Sequence, residues 1–218
     1  MLIRIAFLPL GLALLGFNAL TCQGAVLFSS AGGKEIENIK VSDEAKATIG
    51  DRNYALKLVG AGLRYKKVAF IKAKVYVGEF FVDAPEKIHR DSSKALSSLE
   101  NIKAAAIRMT FLRDVDGEKI SSGFKDALEA NQVNMGAPAI KGFLDAVKMG
   151  GEAKEKKTLV ILSEKVAGGK EILTYENSAG KAITVSGDAG LMRDIFSIWL
   201  GKAEDSGLEN LKQEILGK

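Results

Sequence analysis

Cysteine, histidine and proline are scarce in this sequence, and the first two scarcities exclude whole classes of site. The single cysteine, Cys22, cannot form a disulfide within the chain, so stability must come from a buried core. With a single histidine, His89, the chain lacks the set of cysteine and histidine ligands that a zinc site usually has. His89 is also the only imidazole available for a serine–histidine or cysteine–histidine triad. It lies in the polar run 86–91, which is typical of an exposed loop. We therefore expect no metal, no cofactor and no hydrolase chemistry.

A strong charge of one sign is also absent. The chain has 31 basic and 27 acidic residues, a formal net charge of +4. Proteins that bind nucleic acid concentrate basic residues on one face, and this weak balance gives no reason to expect such a partner. The lysines Lys66, Lys67, Lys72 and Lys74 are interpreted as solvated strand edges, which lysine protects against aggregation.

The apolar run near the N-terminus is short. It follows Arg4, extends over residues 5–17 without a charge, and is followed by small residues at Gly24 and Ala25. A basic start, an apolar stretch and a small-residue exit are typical of a secretory signal peptide. A helix that crosses a bilayer needs about 20 apolar residues, so this run is too short to span comfortably.

These features predict that the protein is exported. Residues 1–24 are expected to be a signal peptide and residues 25–218 a single domain, periplasmic or secreted, with no stable membrane insertion after cleavage. Cys22 then leaves with the signal. In a lipoprotein Cys22 would instead be acylated, but Thr21 stands where a smaller residue is preferred.

Two periodicities divide the rest of the chain. Strand character is found in residues 36–41, 45–49, 54–58, 68–71, 74–82, 104–112, 157–163, 171–175 and 181–185. Apolar residues at helical spacing are found in 120–128, 140–147, 191–199 and 208–216. Turn residues at 50–53, 168–169 and 177–180 predict hairpins, and Trp199 continues a helical stripe that predicts a core position. Strands and helices in separate groups predict an α+β domain with helices packed on an antiparallel sheet.

One strand region combines glycines with an arginine and a tyrosine. Gly60 and Gly62 do not complete a dinucleotide-binding fingerprint, because Tyr65 stands at the third glycine position and no helix follows. Glycine inside a strand instead indicates a bulge or a close backbone approach. Arg64 can bind a carboxylate or enolate through two hydrogen bonds, and Tyr76 can donate to the same oxygen from a neighbouring strand. The alternative is that the two residues form no site and are simply an exposed arginine and a half-buried tyrosine, which are each common.

Residues 58–64, Leu-Val-Gly-Ala-Gly-Leu-Arg, followed by 74–78, Lys-Val-Tyr-Val-Gly, resemble the opening motif of the chalcone isomerase fold, especially its bacterial chalcone isomerase-like branch. Later segments agree in order, at 111–115, 124–131, 195–201 and 211–217. The resemblance implies an open-faced β-sandwich, in which helices cover a large antiparallel sheet and a ligand cleft lies between them.

The same resemblance implies roles for individual residues. An arginine that matches Arg64 positions and polarises the substrate in the plant isomerases, while Arg64 and Tyr76 resemble the pair that holds the carboxylate in the family's fatty-acid-binding members. The enzymes also carry a Tyr, Lys and Asn set on the helix after the long central strand. A gapless placement puts Ile120, Gly123 and Ala127 at those positions, so the catalytic tyrosine is missing and no catalytic residue is assigned.

The expected function is therefore an exported, non-catalytic binder of a fatty acid or a similar lipophilic anion. Arg64 is the counter-charge and Tyr76 its companion, because an apolar cleft with one charged anchor suits an acyl chain. Two alternatives stay open: an intramolecular lyase or isomerase acting on a small enone, for which Lys125 and Asn131 would have to shift into the site, and a structural or protein-interaction module with a filled cleft. The sequence identifies neither a protein partner nor an oligomeric state.

Overall fold

The structure is a computed structural model that describes residues 25–29 and 33–218, so the predicted signal peptide and Cys22 lie outside the described residues. The strands are β1 (Ala25–Ser29), β2 (Glu35–Ile36), β3 (Ile39–Lys40), β4 (Glu44–Ile49), β5 (Arg52–Val68), β6 (Ile71–Val82), β7 (Ala104–Phe111), β8 (Thr158–Lys165), β9 (Lys170–Glu176) and β10 (Ala182–Asp188). The α-helices are α1 (Gly117–Ala130), α2 (Pro138–Met149), α3 (Leu191–Leu200) and α4 (Ser206–Ile215). Short 3-10 helices lie at Pro85–Lys87, Ser97–Asn101 and Ala167–Gly169.

Eight of these strands form one antiparallel sheet in the order β1-β4-β5-β6-β7-β8-β9-β10. From β4 onward each strand pairs with the next strand in the chain, as connections between consecutive antiparallel strands favour. Strands β2 and β3 form a separate small hairpin. The sheet is open, and helices cover one face of it, which confirms the predicted α+β architecture.

Two segments that were expected to be strands contain turns. Residues 68–71 join β5 to β6 through a two-residue turn that begins at Ala69, whose φ is 54°. The prediction was wrong because β-branched residues flank this turn and no glycine marks it. Residues 36–41 contain the turn of the β2–β3 hairpin, with Glu37 and Asn38 at positive φ.

The helices pack on the sheet through one large apolar core. Trp199 of α3 is 1% exposed, and its ring meets Phe124 of α1 edge-on at 5.5 Å between centroids. Phe196, also on α3, packs on Phe80 of β6 at 5.5 Å. The predicted core role of Trp199 is therefore confirmed.

Helix α4 crosses β5 at very short range. A Cβ atom at Gly60 would overlap the backbone carbonyl of Ile215, and one at Gly62 would overlap the side chain of Glu214. Val59 is an extra residue in the pairing with β6, because Leu58 pairs with Phe81 and Gly60 with Phe80. The glycines thus mark a bulge and a close backbone approach, as their position in a strand predicted.

The opposite face has a smaller core near the β1 edge. Phe28 of β1 lies 5.3 Å from Phe81 of β6 between ring centroids, although β4 and β5 separate these strands in the sheet. Neighbouring strands lie about 4.8 Å apart, so a flat sheet would hold these rings much farther from each other. The sheet therefore curls until β1 covers the face of β6.

Two buried acids lie under this curled edge, each with basic or polar partners. Glu79 of β6 is fully buried and accepts two hydrogen bonds from Arg108 of β7, at 2.5 and 2.6 Å, and one from the backbone amide of Ser42. Glu164 of β8 is also fully buried and accepts from Arg52 and from the Tyr54 hydroxyl, the latter at 2.7 Å. Both buried carboxylates are therefore partnered by groups of the described chain.

Candidate functional site

A cavity of about 440 Å³ opens between the β5–β6 hairpin and helix α1, on the helix-covered face. Its apolar lining residues are Ala73, Val75, Phe111, Val115, Ile120, Gly123, Phe124, Ile198 and Leu208. Its polar lining residues are Arg64, Lys66, Tyr76, Arg113, Asp114, Asp116 and Lys119. This volume and this mainly apolar wall are typical of a small-molecule site.

A bulge in β6 brings the two predicted site residues to the same wall. Arg64 pairs with Tyr76 across the two strands and Tyr65 pairs with Lys74, which leaves Val75 as an extra residue. An extra residue interrupts the alternation of a strand, so Val75 and Tyr76 both face the cavity although they are consecutive. The structure therefore brings Arg64 and Tyr76 together, as their placement on neighbouring strands predicted.

Arg64 already has an acidic partner. Its Nη1 and Nη2 donate to the two oxygens of Asp205, at 2.8 and 2.7 Å, and Nη1 also donates to the carbonyl of Tyr65. A guanidinium has five N–H donors. The Nε–H of Arg64 and one Nη2–H have no acceptor among the described residues, and the side chain is part of the cavity wall. Arg64 can therefore still donate hydrogen bonds to a ligand, but its charge is compensated.

Asp205 has a second role as the N-cap of α4, where it accepts from the amides of Gly207 and Leu208. Burial alone would raise the pKa of Asp205, but the hydrogen bonds from Arg64 and Leu208 hold it well below its ordinary value. Asp205 is therefore an anion at neutral pH. Lys66 lies 3.3 Å from its Oδ2 and 3.4 Å from Glu204, so two cations and two anions balance at this corner of the cavity.

Tyr76 keeps a free hydroxyl proton. Its oxygen accepts a hydrogen bond from the Trp199 indole at 3.0 Å, and no described residue accepts from it. Burial raises the pKa of Tyr76, although the positive charge of Arg64 opposes this, so the phenol stays neutral. A neutral phenol with an acceptor bond already made can donate its proton to a ligand in the cavity.

The mouth of the cavity has two basic side chains without ion-pair partners, which the sequence did not reveal. Arg113 and Lys119 line the cavity and are exposed, and neither forms an ion pair with any described residue. Of the two acids beside them, Asp114 pairs with Lys154 at 3.2 Å, whereas Asp116 caps α1 and forms no ion pair with a described residue. The only sequence signal was two basic residues on either side of a helix start, a pattern far too common to single out.

The positions that match the enzymes' Tyr, Lys and Asn set have no acid–base side chain. Ile120 and Gly123 line the cavity, and Ala127 is fully buried in the core. Lys125 forms an ion pair with Glu129 on the outer surface of α1, 2.7 Å away. Neither it nor Asn131, which holds the end of α1 by donating to the carbonyls of Ala127 and Lys202, is in the cavity lining. The wall that α1 contributes at these positions is apolar.

Comparison with known proteins agrees with this architecture. A family model described as chalcone isomerase-like matches residues 33–217. No curated protein sequence matches. Among solved structures, a fatty-acid binding protein from Arabidopsis thaliana matches with a TM-score of 0.55, covering 78% of this chain and 89% of that chain at 17% identity. At this identity the likeness concerns the fold alone. Because the family model spans most of the chain, this protein belongs to the chalcone isomerase-like family.

Proposed function

We propose that this protein binds a fatty acid or a similar lipophilic anion in the cavity and performs no reaction on it. The observation that carries the proposal is that Arg64 and Tyr76 have free hydrogen-bond donors beside the apolar wall of the cavity. Buried donors without acceptors are costly, so a ligand oxygen that accepts from both is stabilised there. That a protein of the same fold binds fatty acids supports this ligand class.

The apolar wall suits the chain of such a ligand. Ile120 and Gly123 of α1 face Val75 of β6 across the same cavity, so the middle of a bound molecule meets hydrocarbon. Each buried methylene contributes about 0.8 kcal/mol. The chain would therefore supply most of the affinity, and the absence of an acid–base group at these positions supports binding without catalysis.

The compensated charge of Arg64 changes how the head group would be held. Asp205 occupies two of the guanidinium donors, so a bound carboxylate would gain hydrogen bonds from Arg64 and Tyr76 rather than an unopposed ion pair. The unpaired charges of Arg113 and Lys119 lie at the mouth, where they attract an approaching anion. In this proposal the inner pair orients the carboxylate and the mouth pair speeds its entry.

Titration of fatty acids of increasing length into purified protein tests the proposal. We expect Arg64→Ala to weaken binding about tenfold or more, because charge-assisted hydrogen bonds contribute about 1.5 to 3 kcal/mol. Arg64→Lys should restore part of this loss, since an ammonium lacks the planar geometry of a guanidinium. Tyr76→Phe should cost less. Arg193→Ala, an exposed arginine away from the cavity, is the matched control.

The pattern across chain lengths separates the parts of the proposal. Longer chains should bind more tightly in every variant, while the effect of Arg64→Ala stays constant because the head group does not change. If Arg113→Ala and Lys119→Ala lowered affinity while Arg64→Ala and Tyr76→Phe did not, the head group would lie at the mouth instead. Unchanged affinity in all four variants would remove the carboxylate site.

We also propose that residues 1–24 are a cleaved signal peptide and that the protein acts outside the cytoplasm. N-terminal sequencing of the exported protein should find a start near Ala25. Native mass spectrometry of the same material should show a co-purified lipid if the cavity is filled during export. A retained leader with an acylated Cys22 would contradict the soluble, exported form.

A further inference from the structure

The hairpin between β5 and β6 extends beyond the rest of the sheet. Pairing of β5 with β4 ends at Lys57, and pairing of β6 with β7 begins at Tyr76. Residues 65–68 and 71–74 therefore pair only with each other. Four residues of strand extend about 13 Å. The base of this extension contacts the domain through the ion pairs of Lys66 with Glu204 and of Lys74 with Glu37, and the far end, which we name the hairpin tip (residues 67–72), projects beyond it.

The hairpin tip ends in exposed apolar side chains. Among the described residues three large apolar side chains are exposed, and two of them, Phe70 and Ile71, are consecutive at this turn. Phe70 is fully exposed and Ile71 is 71% exposed. Single exposed apolar residues are ordinary, but an aromatic and a branched residue together on a projecting turn indicate contact with an apolar environment.

Lysines surround this apolar end. Lys67 and Lys72 are directly opposite each other in the hairpin, and neither forms an ion pair with a described residue. Lys72 lies over the ring of Tyr65, 4.6 Å from its centroid. Like charges directly opposite in a hairpin are destabilising, and an external anion between them would relieve the repulsion. These lysines are solvated, as the sequence indicated, but they are placed to meet an anionic surface.

We infer that the hairpin tip docks the protein on an anionic lipid bilayer. Phe70 and Ile71 would enter the interface between head groups and acyl chains, while Lys67 and Lys72 contact the lipid phosphates. A stable protein interface needs about 800 Å² from each partner, far more than two side chains supply. A small apolar tip with adjacent basic residues can bind to a bilayer, because apolar side chains gain free energy when they enter the interface and each lysine is attracted to the anionic surface.

Docking of this kind is peripheral. No helix among the described residues is long and apolar enough to cross a membrane. The same hairpin contributes Lys66, Ala73 and Val75 to the cavity wall, so a docked tip would hold the cavity close to the lipid. Direct exchange of a fatty acid between bilayer and cavity is a consequence that rests on the proposed function, whereas docking itself does not.

Vesicle sedimentation tests the docking. Wild-type protein should sediment with vesicles of phosphatidylcholine and phosphatidylglycerol, and much less with phosphatidylcholine alone or at high salt. Lys67→Gln/Lys72→Gln and Phe70→Ser/Ile71→Ser should each lower partitioning about tenfold. The matched controls are Lys141→Gln/Lys181→Gln and Met149→Ser, which alter exposed lysines and an exposed apolar residue elsewhere and should sediment like wild type.

Three results would overturn the inference. Wild-type protein that stays in solution with anionic vesicles is the first, and tip variants that bind as wild type does are the second. The third is a dimer, seen by light scattering, that the Phe70→Ser/Ile71→Ser variant abolishes while vesicle binding is absent, because the tip would then contact a second copy of the chain.

A vesicle-free titration separates docking from ligand binding. The tip variants should bind fatty acid in solution with wild-type affinity, because Phe70, Ile71, Lys67 and Lys72 do not line the cavity. If the wild-type protein sediments with anionic vesicles but binds no fatty acid, the proposed function is wrong and the docking stands. If it binds fatty acid but does not sediment with these vesicles, the docking is wrong and the proposed function stands.

Discussion

The two faces of the sheet hold similar ion pairs in different surroundings. On the curled face, Glu79 and Arg108 meet beneath β1, and the ring of Phe28 covers the guanidinium at 4.3 Å from its centroid. On the helix-covered face, Arg64 meets Asp205 with comparable hydrogen-bond distances, but beside a cavity of about 440 Å³. Both are pairs of an arginine with a carboxylate, but one is covered by an aromatic ring and the other lies beside a cavity.

The difference shows how a structural pair can be told from a binding site. Glu79 accepts three hydrogen bonds, and the groups that donate them close over it, so the pair serves to hold β6, β7 and the segment after β3 together. Beside Arg64, the Tyr76 hydroxyl and two N–H groups of the guanidinium still lack acceptors among the described residues. Free donors that line a cavity indicate a ligand. The two Nη1–H groups of Arg108 also lack an acceptor among the described residues, but this guanidinium is covered by the Phe28 ring and does not line the cavity, so its pair with Glu79 indicates stability.

The largest effect that tests this contrast is expected on the curled face. Arg108→Met leaves Glu79 buried with an unpaired charge, which typically costs about 3 to 5 kcal/mol. Urea unfolding should show this loss. The double variant Glu79→Gln/Arg108→Met removes the stranded charge and should recover part of it. A single variant that unfolds within about 1 kcal/mol of wild type would contradict the assignment of this pair to stability.

Two tyrosines, one on each face, give a more selective test. Tyr54→Phe removes a donor to the buried Glu164 carboxylate and should lower the free energy of unfolding by about 1.5 to 3 kcal/mol, with no change in ligand affinity. Tyr76→Phe leaves the Trp199 indole without its acceptor and should cost about 1 to 3 kcal/mol, and it should also weaken fatty-acid binding. If the two variants bound fatty acid with equal affinity, the assignment of ligand binding to the helix-covered face would be contradicted.

The close packing of α4 on β5 supports the cavity side and can be tested with a matched pair of glycines. Gly60→Ala places a methyl group against the backbone carbonyl of Ile215, and overpacking of this kind costs about 1 to 3 kcal/mol. Gly123→Ala, in the middle of α1 with open space around its Cβ position, should instead gain up to about 1 kcal/mol. Thermal unfolding should move the two variants in opposite directions. A tolerated Gly60→Ala would mean that α4 is held less firmly than the packing indicates.

Much of the fold was predictable because strand and helix periods are local properties of the sequence. The stripe through 120–128 predicted α1, and the alternation in 104–112 predicted β7, within a few residues. The tight turn at Ala69 was missed because the residue that takes the positive φ is not a glycine. The curl of the sheet was also missed, because it depends on Phe28 meeting a strand that is distant in the chain.

Two members of the candidate site could be predicted from the sequence, but the basic residues at its mouth and the partner of Arg64 could not. Arg64 and Tyr76 stood out as polar residues in an apolar strand region, and both line the cavity. The partner of Arg64 is Asp205, 141 positions away in the chain, and no local pattern connects the two. The bulge at Val75, which turns Tyr76 toward the cavity, likewise depends on pairing across the hairpin rather than on any residue preference.

The smallest expected effect concerns the Arg64–Asp205 pair itself. Asp205→Asn keeps an oxygen that can cap α4, but it removes the negative charge that compensates Arg64. A bound carboxylate should then gain up to about tenfold in affinity, since a charge-assisted hydrogen bond is worth more when the donor is not already neutralised. Arg108→Met, whose charge change lies on the other face, should leave affinity unaltered below its unfolding temperature.

The pH dependence of stability gives Asp205→Asn a second readout. Hydrogen bonds from Arg64 and Leu208 outweigh the effect of burial and place the pKa of Asp205 below its ordinary value, so the folded state releases this proton more readily than the unfolded chain does. The stabilisation by the charged carboxylate is therefore fully present above about pH 4 and is lost as the pH falls through the folded-state pKa. The difference in unfolding free energy between wild type and Asp205→Asn should be constant from about pH 8 to pH 5 and should shrink in stronger acid. A difference that instead grew on acidification, together with unchanged fatty-acid affinity, would show that Asp205 does not compensate Arg64 and that the two faces hold their charges in the same way.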